Sequence, residues 1–217
     1  MNATIRTSTG MNRTRSDHWE RVYSNKETTE LSWYQPRSEV SLRLIAQTGV
    51  QSDSPVLDAG GGASTLVDNL QEQGFRDITV LDISATALER AKARMGDPAK
   101  TVHWVTADVT AFSPTRRYTL WHDRAVFHFL VEQHDRERYL DAVLAALQPR
   151  GHLLLSTFGP DGPLRCSGLE ICRYSIEQLQ AIFAAHFELQ HHELHDHVTP
   201  AGASQQFLYS LWQVRAR

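Results

Sequence analysis

A chain of 217 residues with 41% hydrophobic content can bury one full core, and it is short for more than one domain. Its net charge of −3 argues against broad binding to nucleic acid or anionic membranes, and no apolar run approaches the roughly 20 residues of a membrane span. Cys166 and Cys172 are too few for a disulfide framework, which points to a reducing, cytoplasmic setting.

Residues 1–16 hold Arg6, Arg13 and Arg15 among Ser and Thr with no acid. They are expected to form a solvated tail, with an organelle-targeting segment as the alternative. Asp17 changes the character: Trp19 and Tyr23 stand four apart, on one face of a helix. Glu30 to Pro36, including Trp33, Tyr34 and Gln35, leads into a second helix marked by Val40, Leu42, Leu44 and Ile45. The expected organisation is a tail, 1–16, and a single domain, 17–217, whose first part, 17–50, consists of helices.

Pro55-Val-Leu-Asp-Ala-Gly-Gly-Gly-Ala-Ser64 then reads as a strand, a tight glycine turn and the start of a helix carrying Leu66, Val67 and Leu70. α/β proteins hold nucleotide-like ligands with this order of elements. Glycine accepts φ > 0 there and lets backbone N–H groups approach a ligand. The pattern is not the dinucleotide fingerprint G-x-G-x-x-G, because Thr65 stands where its third glycine belongs. Asp58, two residues before Gly60, would repel a pyrophosphate and would favour a cationic amino acid group.

A second β-rich run, Ile78 to Asp82, ends in an acid 22 residues beyond Gly60, where ribose hydroxyls are held. A third, Val102 to Val109, contains Asp108. Ser84 caps a helix bearing Ala87, Leu88, Ala91 and Met95 that Gly96-Asp-Pro98 stops. Arg117 to Asp123 is a fourth strand, His134 to Leu147 a helix, and Pro149-Arg-Gly151 a turn into a fifth strand, His152 to Phe158. Ser175-Ile-Glu-Gln178 is a capping box before Leu179, Ile182 and Phe183. Phe187–Thr199 and Gln205–Val214 read as two strands joined by Pro200-Ala-Gly202. Such alternation means a parallel sheet covered on both faces.

The stretch Asp58-Ala-Gly60-Gly61-Gly62-Ala-Ser64 resembles motif I of the class I S-adenosylmethionine (SAM) methyltransferases, D/E-x-G-x-G-x-G, with Ser64 replacing the last glycine. The resemblance implies a Rossmann-like fold with seven strands, the last antiparallel, and SAM as cofactor with S-adenosylhomocysteine (SAH) as product. It assigns cofactor contacts to Asp58, Gly60, Gly61, Gly62, Ser64, Asp82, Ile83, Asp108, Val109 and Asp123. Within that set Asp82 takes the ribose hydroxyls, Asp108 the adenine amino group and the Val109 backbone the adenine edge. In many small members the N-terminal segment closes over the cofactor, which implies Tyr23 and Trp33 in the pocket and Tyr34 and Gln35 beside it.

After the fourth strand comes Asp123-Arg-Ala-Val-Phe127-His128. It lacks the Asn/Asp-Pro-Pro-Tyr motif of many DNA and protein-glutamine methyltransferases. It is similar to Asp-Arg-Gly-x-Leu of thiopurine S-methyltransferases and to Asp-Lys-Gly-x-Phe-Asp of the lysine methyltransferases acting on elongation factor 1A, with Ala125 in place of both glycines. Asp123, His128 and His197 are the candidate bases, and Arg124 offers a planar fork to an anionic acceptor. The loop from Phe158 to Tyr174 adds Cys166, Cys172 and Arg173 as acceptor-side candidates beside Tyr34, Arg124 and His128. The cysteines could hold a metalloid or act as a redox pair, but C-x5-C is not a zinc spacing, and no metal is expected. His191, His195 and His197 alternate onto one face of a strand.

The expected function is methyl transfer to a small molecule bearing a thiol, metalloid or amine, by a monomer or homodimer with no nucleic-acid or membrane partner. Protein lysine methylation is the alternative within the class. Outside it stand a nicotinamide-dependent oxidoreductase and a non-catalytic SAM-binding protein.

Overall fold

The computed structural model describes residues 8–216, with side chains from Arg15 onward. Helix α1 (Ser8–Asn25) begins well before Asp17, so the expected border between tail and domain falls inside a helix. Residues 1–7, Arg6 among them, lie outside the described residues, as does the side chain of Arg13. A 3-10 turn at Thr28–Glu30 follows, then α2 (Glu39–Gln47).

The alternation expected from the sequence is present. β1 (Val56–Ala59), α3 (Leu66–Glu72), β2 (Ile78–Asp82), α4 (Ala85–Met95), β3 (His103–Thr106), β4 (Tyr118–Arg124), α5 (Gln133–Ala146) and β5 (Leu147–Phe158) succeed one another. After β5 come a two-rung hairpin of β6 (Arg165–Cys166) and β7 (Leu169–Glu170), then α6 (Ile176–Phe183), β8 (Phe187–Val198) and β9 (Ser204–Val214). The main sheet has seven strands in the order β3-β2-β1-β4-β5-β9-β8. β1 to β5 pair in parallel, and β9 runs antiparallel to both β5 and β8.

Successive residues of a strand point to opposite faces, and the two cores follow that rule. Leu57, Trp121, Leu153 and Leu155 pack with Tyr139 and Val143 of α5 and Leu179 and Phe183 of α6. Val56, Leu120 and Leu154 pack on the other face with Leu44 and Ile45 of α2 and Leu66 and Leu70 of α3. Each such side chain stabilises the fold by about 1.5–3 kcal/mol. The capping box at Ser175 and Gln178 opens α6 as its sequence demands.

Two local expectations change. No turn separates α5 from β5: the strand starts at Leu147, and Pro149 and Gly151 lie within it. The register of β4 against β5 shifts between Tyr118 and Leu120, and Arg150 takes φ 61°. An irregularity of this kind accommodates a proline that has no N–H to give. Asp108 also lies beyond the end of β3, where its carboxylate caps a 3-10 turn by accepting from Thr110 N–H. Among the described residues no helix is long and apolar enough to cross a membrane.

Candidate active site

One cleft opens at the carboxyl ends of β1, β2 and β4, the location where open α/β sheets bind ligands. Its floor is the turn Gly60–Gly62. Gly60 takes φ 67°, and a Cβ there would sit 1.9 Å from Val126 Cγ2. A Cβ on Gly61 would lie 2.6 Å from Asp58 Oδ2, and one on Gly62 2.7 Å from the Tyr23 hydroxyl. The space beside these backbones is therefore already claimed, and only glycine fits all three positions.

The carboxylates around the turn are held by hydrogen bonds, those of Asp82 and Asp108 local and that of Asp58 across the sheet. Asp58, buried in β1, accepts at Oδ1 from His122 Nδ1 at 2.7 Å, while the Ser41 hydroxyl reaches His122 Nε2 at 2.9 Å. This Ser41–His122–Asp58 chain spans α2, β4 and β1, and β1–β4 pairing sets Asp58 directly beside His122. Asp82 accepts from Ser84 N–H at 2.8 Å. Burial first, then the charges of Asp58 and Glu20, pushes its carboxyl up to about 7 against the pull of backbone N–H groups. Asp108 spends Oδ1 on the N–H and hydroxyl of Thr110, and its Oδ2 is buried with no hydrogen bond. Arg15 Nη1 stands 3.7 Å from that oxygen, too far for a hydrogen bond.

The walls come from segments far apart in the chain. α1 contributes Arg15, Trp19 and Tyr23; the following stretch adds Leu31, Trp33, Tyr34 and Gln35; the hairpin adds Cys166 and Leu169. Trp19 meets Phe129 and Trp33 edge to face, with ring centroids 5.0 and 5.8 Å apart. Glu20 on the same helix accepts from Ala85 N–H and Thr86 N–H, capping α4, and Arg15 bonds Asp135 of α5. Burial raises the Tyr23 phenol well above its ordinary value and the Cys166 thiol to about 11.

Of the expected cofactor residues, Tyr23, Trp33, Asp58, Gly60, Gly61, Ser64, Asp82, Ile83, Asp108 and Val109 line the cleft, and Gly62 abuts Tyr23 and Asp82. Tyr34, Arg124 and Cys166 line it too. The remaining candidates lie outside that lining. Asp123 is fully buried, its oxygens accepting from Val126 N–H and Tyr139 O–H. His128 is fully buried behind the rim, where Nδ1 accepts from Phe158 N–H and burial holds the imidazole down to about 3. His197 is buried against the carbonyl of Ser32. These three bond to the scaffold, away from the lining. Cys172 packs against the α5–α6 core while Cys166 packs in the opposite one, and both thiols are free. Arg173 reaches the carbonyl of Gly162 at 3.3 Å. His191, His195 and His197 share the inner face of β8, yet no group of three metal-ligating side chains forms among the described residues.

Arg15 and His122 line the cleft and Ser41 bonds His122, though the sequence reading did not single them out as site residues. His122 alternates properly in its strand, but only the pairing of β4 with β1 brings it to Asp58.

A seven-stranded sheet of this order with a glycine-floored cleft at the strand ends is the fold of the class I SAM-dependent methyltransferases. Residues 56–151 match the family model described as a methyltransferase domain. Mouse (Mus musculus) eEF1A lysine and N-terminal methyltransferase is 26% identical over 95 residues, covering 44% of this chain and 13% of that protein. Nodulation protein S of Rhizobium tropici is 29% identical over 101 residues, covering 46% of this chain and 42% of that one. The chain therefore spans less than half the length of either curated relative. In fold, it is similar to 1,6-didemethyltoxoflavin-N1-methyltransferase of Burkholderia thailandensis, solved with its acceptor and SAH, at TM-score 0.71 and 20% identity over 100% of this chain and 94% of that one. Structures of this fold are described with SAM or SAH bound, and against a nicotinamide they support SAM as the cofactor. The cleft suits it: a glycine cradle, two buried acids and an unused acceptor oxygen on Asp108 meet a cationic nucleoside rather than a pyrophosphate.

Proposed function

We propose that this chain transfers the methyl group of SAM to a small-molecule acceptor, a thiol or a weakly basic amine. The carrying observation is the glycine-floored, acid-bearing cleft, walled by α1, the Leu31–Gln35 stretch and the β6–β7 hairpin. Such walls favour a compact acceptor over a lysine on an extended protein segment. When bound, SAM supplies a methyl group already activated on a sulfonium. Asp58, Gly60 and Gly61 would hold its amino acid end, Asp82 its ribose, and Asp108 and Val109 its base. Trp19, Tyr23 and Trp33 keep water out, which strengthens the electrostatics inside.

Neither Tyr23 nor Cys166 deprotonates near neutral pH, and the expected bases lie behind the rim. Alignment and dryness are then the chain's contribution, and they suit a nucleophile that is reactive without a base. The 1,6-didemethyltoxoflavin-N1-methyltransferase, named for a small acceptor, supports this reading, whereas the mouse relative is named for lysine on a protein.

The test is calorimetry with SAH followed by turnover of labelled SAM against panels of small thiols and amines. Uptake of SAH and label in the small-molecule fraction are expected. No uptake of SAH at millimolar levels overturns the reading. Label found only in lysate protein bands moves it to protein lysine, and uptake without turnover moves it to a non-catalytic binder.

A further inference from the structure

Arg124 carries a charge that nothing in the described structure neutralises. It is the last residue of β4 and lines the cleft. Its Nε donates to the Tyr209 hydroxyl at 3.1 Å and its Nη1 to the carbonyl of Trp33 at 2.8 Å, both neutral acceptors. The guanidinium lies over the Phe207 ring, 4.7 Å from its centroid. Nη2 is buried with no acceptor. Among the described residues no carboxylate stands within ion-pair distance of it.

A permanently charged fork held by three contacts, with its remaining nitrogen unpaired and shielded from water, is costly unless an occupant of the cleft completes it. Its charge is felt by its neighbours: after burial, it is the cause that depresses the imidazoles of His128 and His197. The backbone beside it is also strained. Ala125 takes φ 72°, a left-handed conformation that glycine would adopt at no cost. Strain of this kind persists where the surroundings fix a geometry that a site needs.

The chemistry of the missing partner follows from the cleft. One unpaired nitrogen on one arginine matches a single negative charge, and the acids Asp58, Asp82 and Asp108 of the same cleft disfavour a more highly charged anion. The Nη1 bond ties Arg124 to Trp33, whose ring stands against Trp19 in the same wall as Phe129, so the body beside the anion meets flat apolar surfaces. We propose that Arg124 is the specificity-determining residue of the acceptor site and takes, through Nη2, the single carboxylate of a small, flat-bodied acid. This deepens the methyltransferase reading and rests on it. The same chemistry is present in the cofactor's own carboxylate, and the experiment separates the two sources.

Wild-type chain saturated with SAH is titrated with benzoate and phenylacetate and with their neutral amides. Binding of at least one acid about tenfold tighter than its amide is expected, as a hydrogen bond to a charged group implies. Arg124→Gln should erase that preference while leaving SAH affinity within about threefold of wild type. Arg124→Lys, which keeps the charge and loses the fork, should retain part of the preference and carries the test if the glutamine variant melts. Equal binding of acids and amides overturns the proposal. So does an Arg124→Gln variant that loses SAH affinity about tenfold and keeps the acid preference, since the carboxylate is then the cofactor's. Failure of the wild type to bind SAH is a different result and sinks the methyltransferase reading instead.

Discussion

The two ends of the cleft are built on different principles. At the proposed cofactor end two of the three acids are secured within their own turns, Asp82 by Ser84 and Asp108 by Thr110, both two residues away, and only Asp58 leans on a distant partner, His122. At the acceptor end the bonds cross the chain. Arg124 reaches Tyr209 and Trp33, 85 and 91 positions distant, and behind the lining His197 meets Ser32 across 165. The first end is largely a property of short strand–turn–helix segments, with the Asp58–His122 bond as its one tie across the sheet. The second exists only after the sheet, α1 and the hairpin have come together, and it is there that one methyltransferase fold can differ from another.

The sharpest way to break the cofactor end is Gly60→Val. Its Cβ would collide with Val126, and φ 67° is forbidden to a branched side chain. Backbone strain of about 1–3 kcal/mol precedes the overlap, so SAH affinity should fall on the order of a hundredfold by calorimetry. His122→Leu comes next. It strips Asp58 and Ser41 of their shared partner and should lower stability by about 1–3 kcal/mol in thermal or urea melts, with weakened SAH uptake.

The third is a titration. Asp82 is held up to about 7, above the ordinary carboxylate range, so its contribution to the stability of the free chain declines as pH rises from about 4 to 7. Ligand hydroxyls donate to the ionised form, so binding sheds a proton below neutrality. Affinity for SAH should rise about tenfold per pH unit up to 7 and level off above it, and Asp82→Asn should flatten the profile. The smallest effect is expected at the acceptor end. Ala125→Gly relieves a left-handed alanine and should stabilise by about 1 kcal/mol or less in a melt, setting relief of strain against the freedom glycine adds to the unfolded chain.

This contrast also explains what the sequence made legible. Motif I, Asp82 and Asp108 were readable because strand ends and glycine turns have local signatures. The helical spacing of Val40, Leu44 and Ile45 and the alternation in β8 were readable for the same reason. Asp123, His128 and His197 carry the right chemistry for a base, but side-chain direction at a strand end depends on what packs behind it. For Asp123 that is Tyr139, and for His128 the Phe158 backbone. His122 stayed hidden because pairing between strands is not written in either strand alone. The two cysteines stand close in sequence, but which core each packs against depends on the loop's path.

Helix α1 is fastened at both neighbours, through Glu20 to the start of α4 and through Arg15 to Asp135. A wall clamped in this manner must let go before a spent nucleoside is exchanged for a fresh one. A burst of one labelled methyl per chain ahead of slower steady turnover is the outcome this clamp predicts in a rapid-quench measurement.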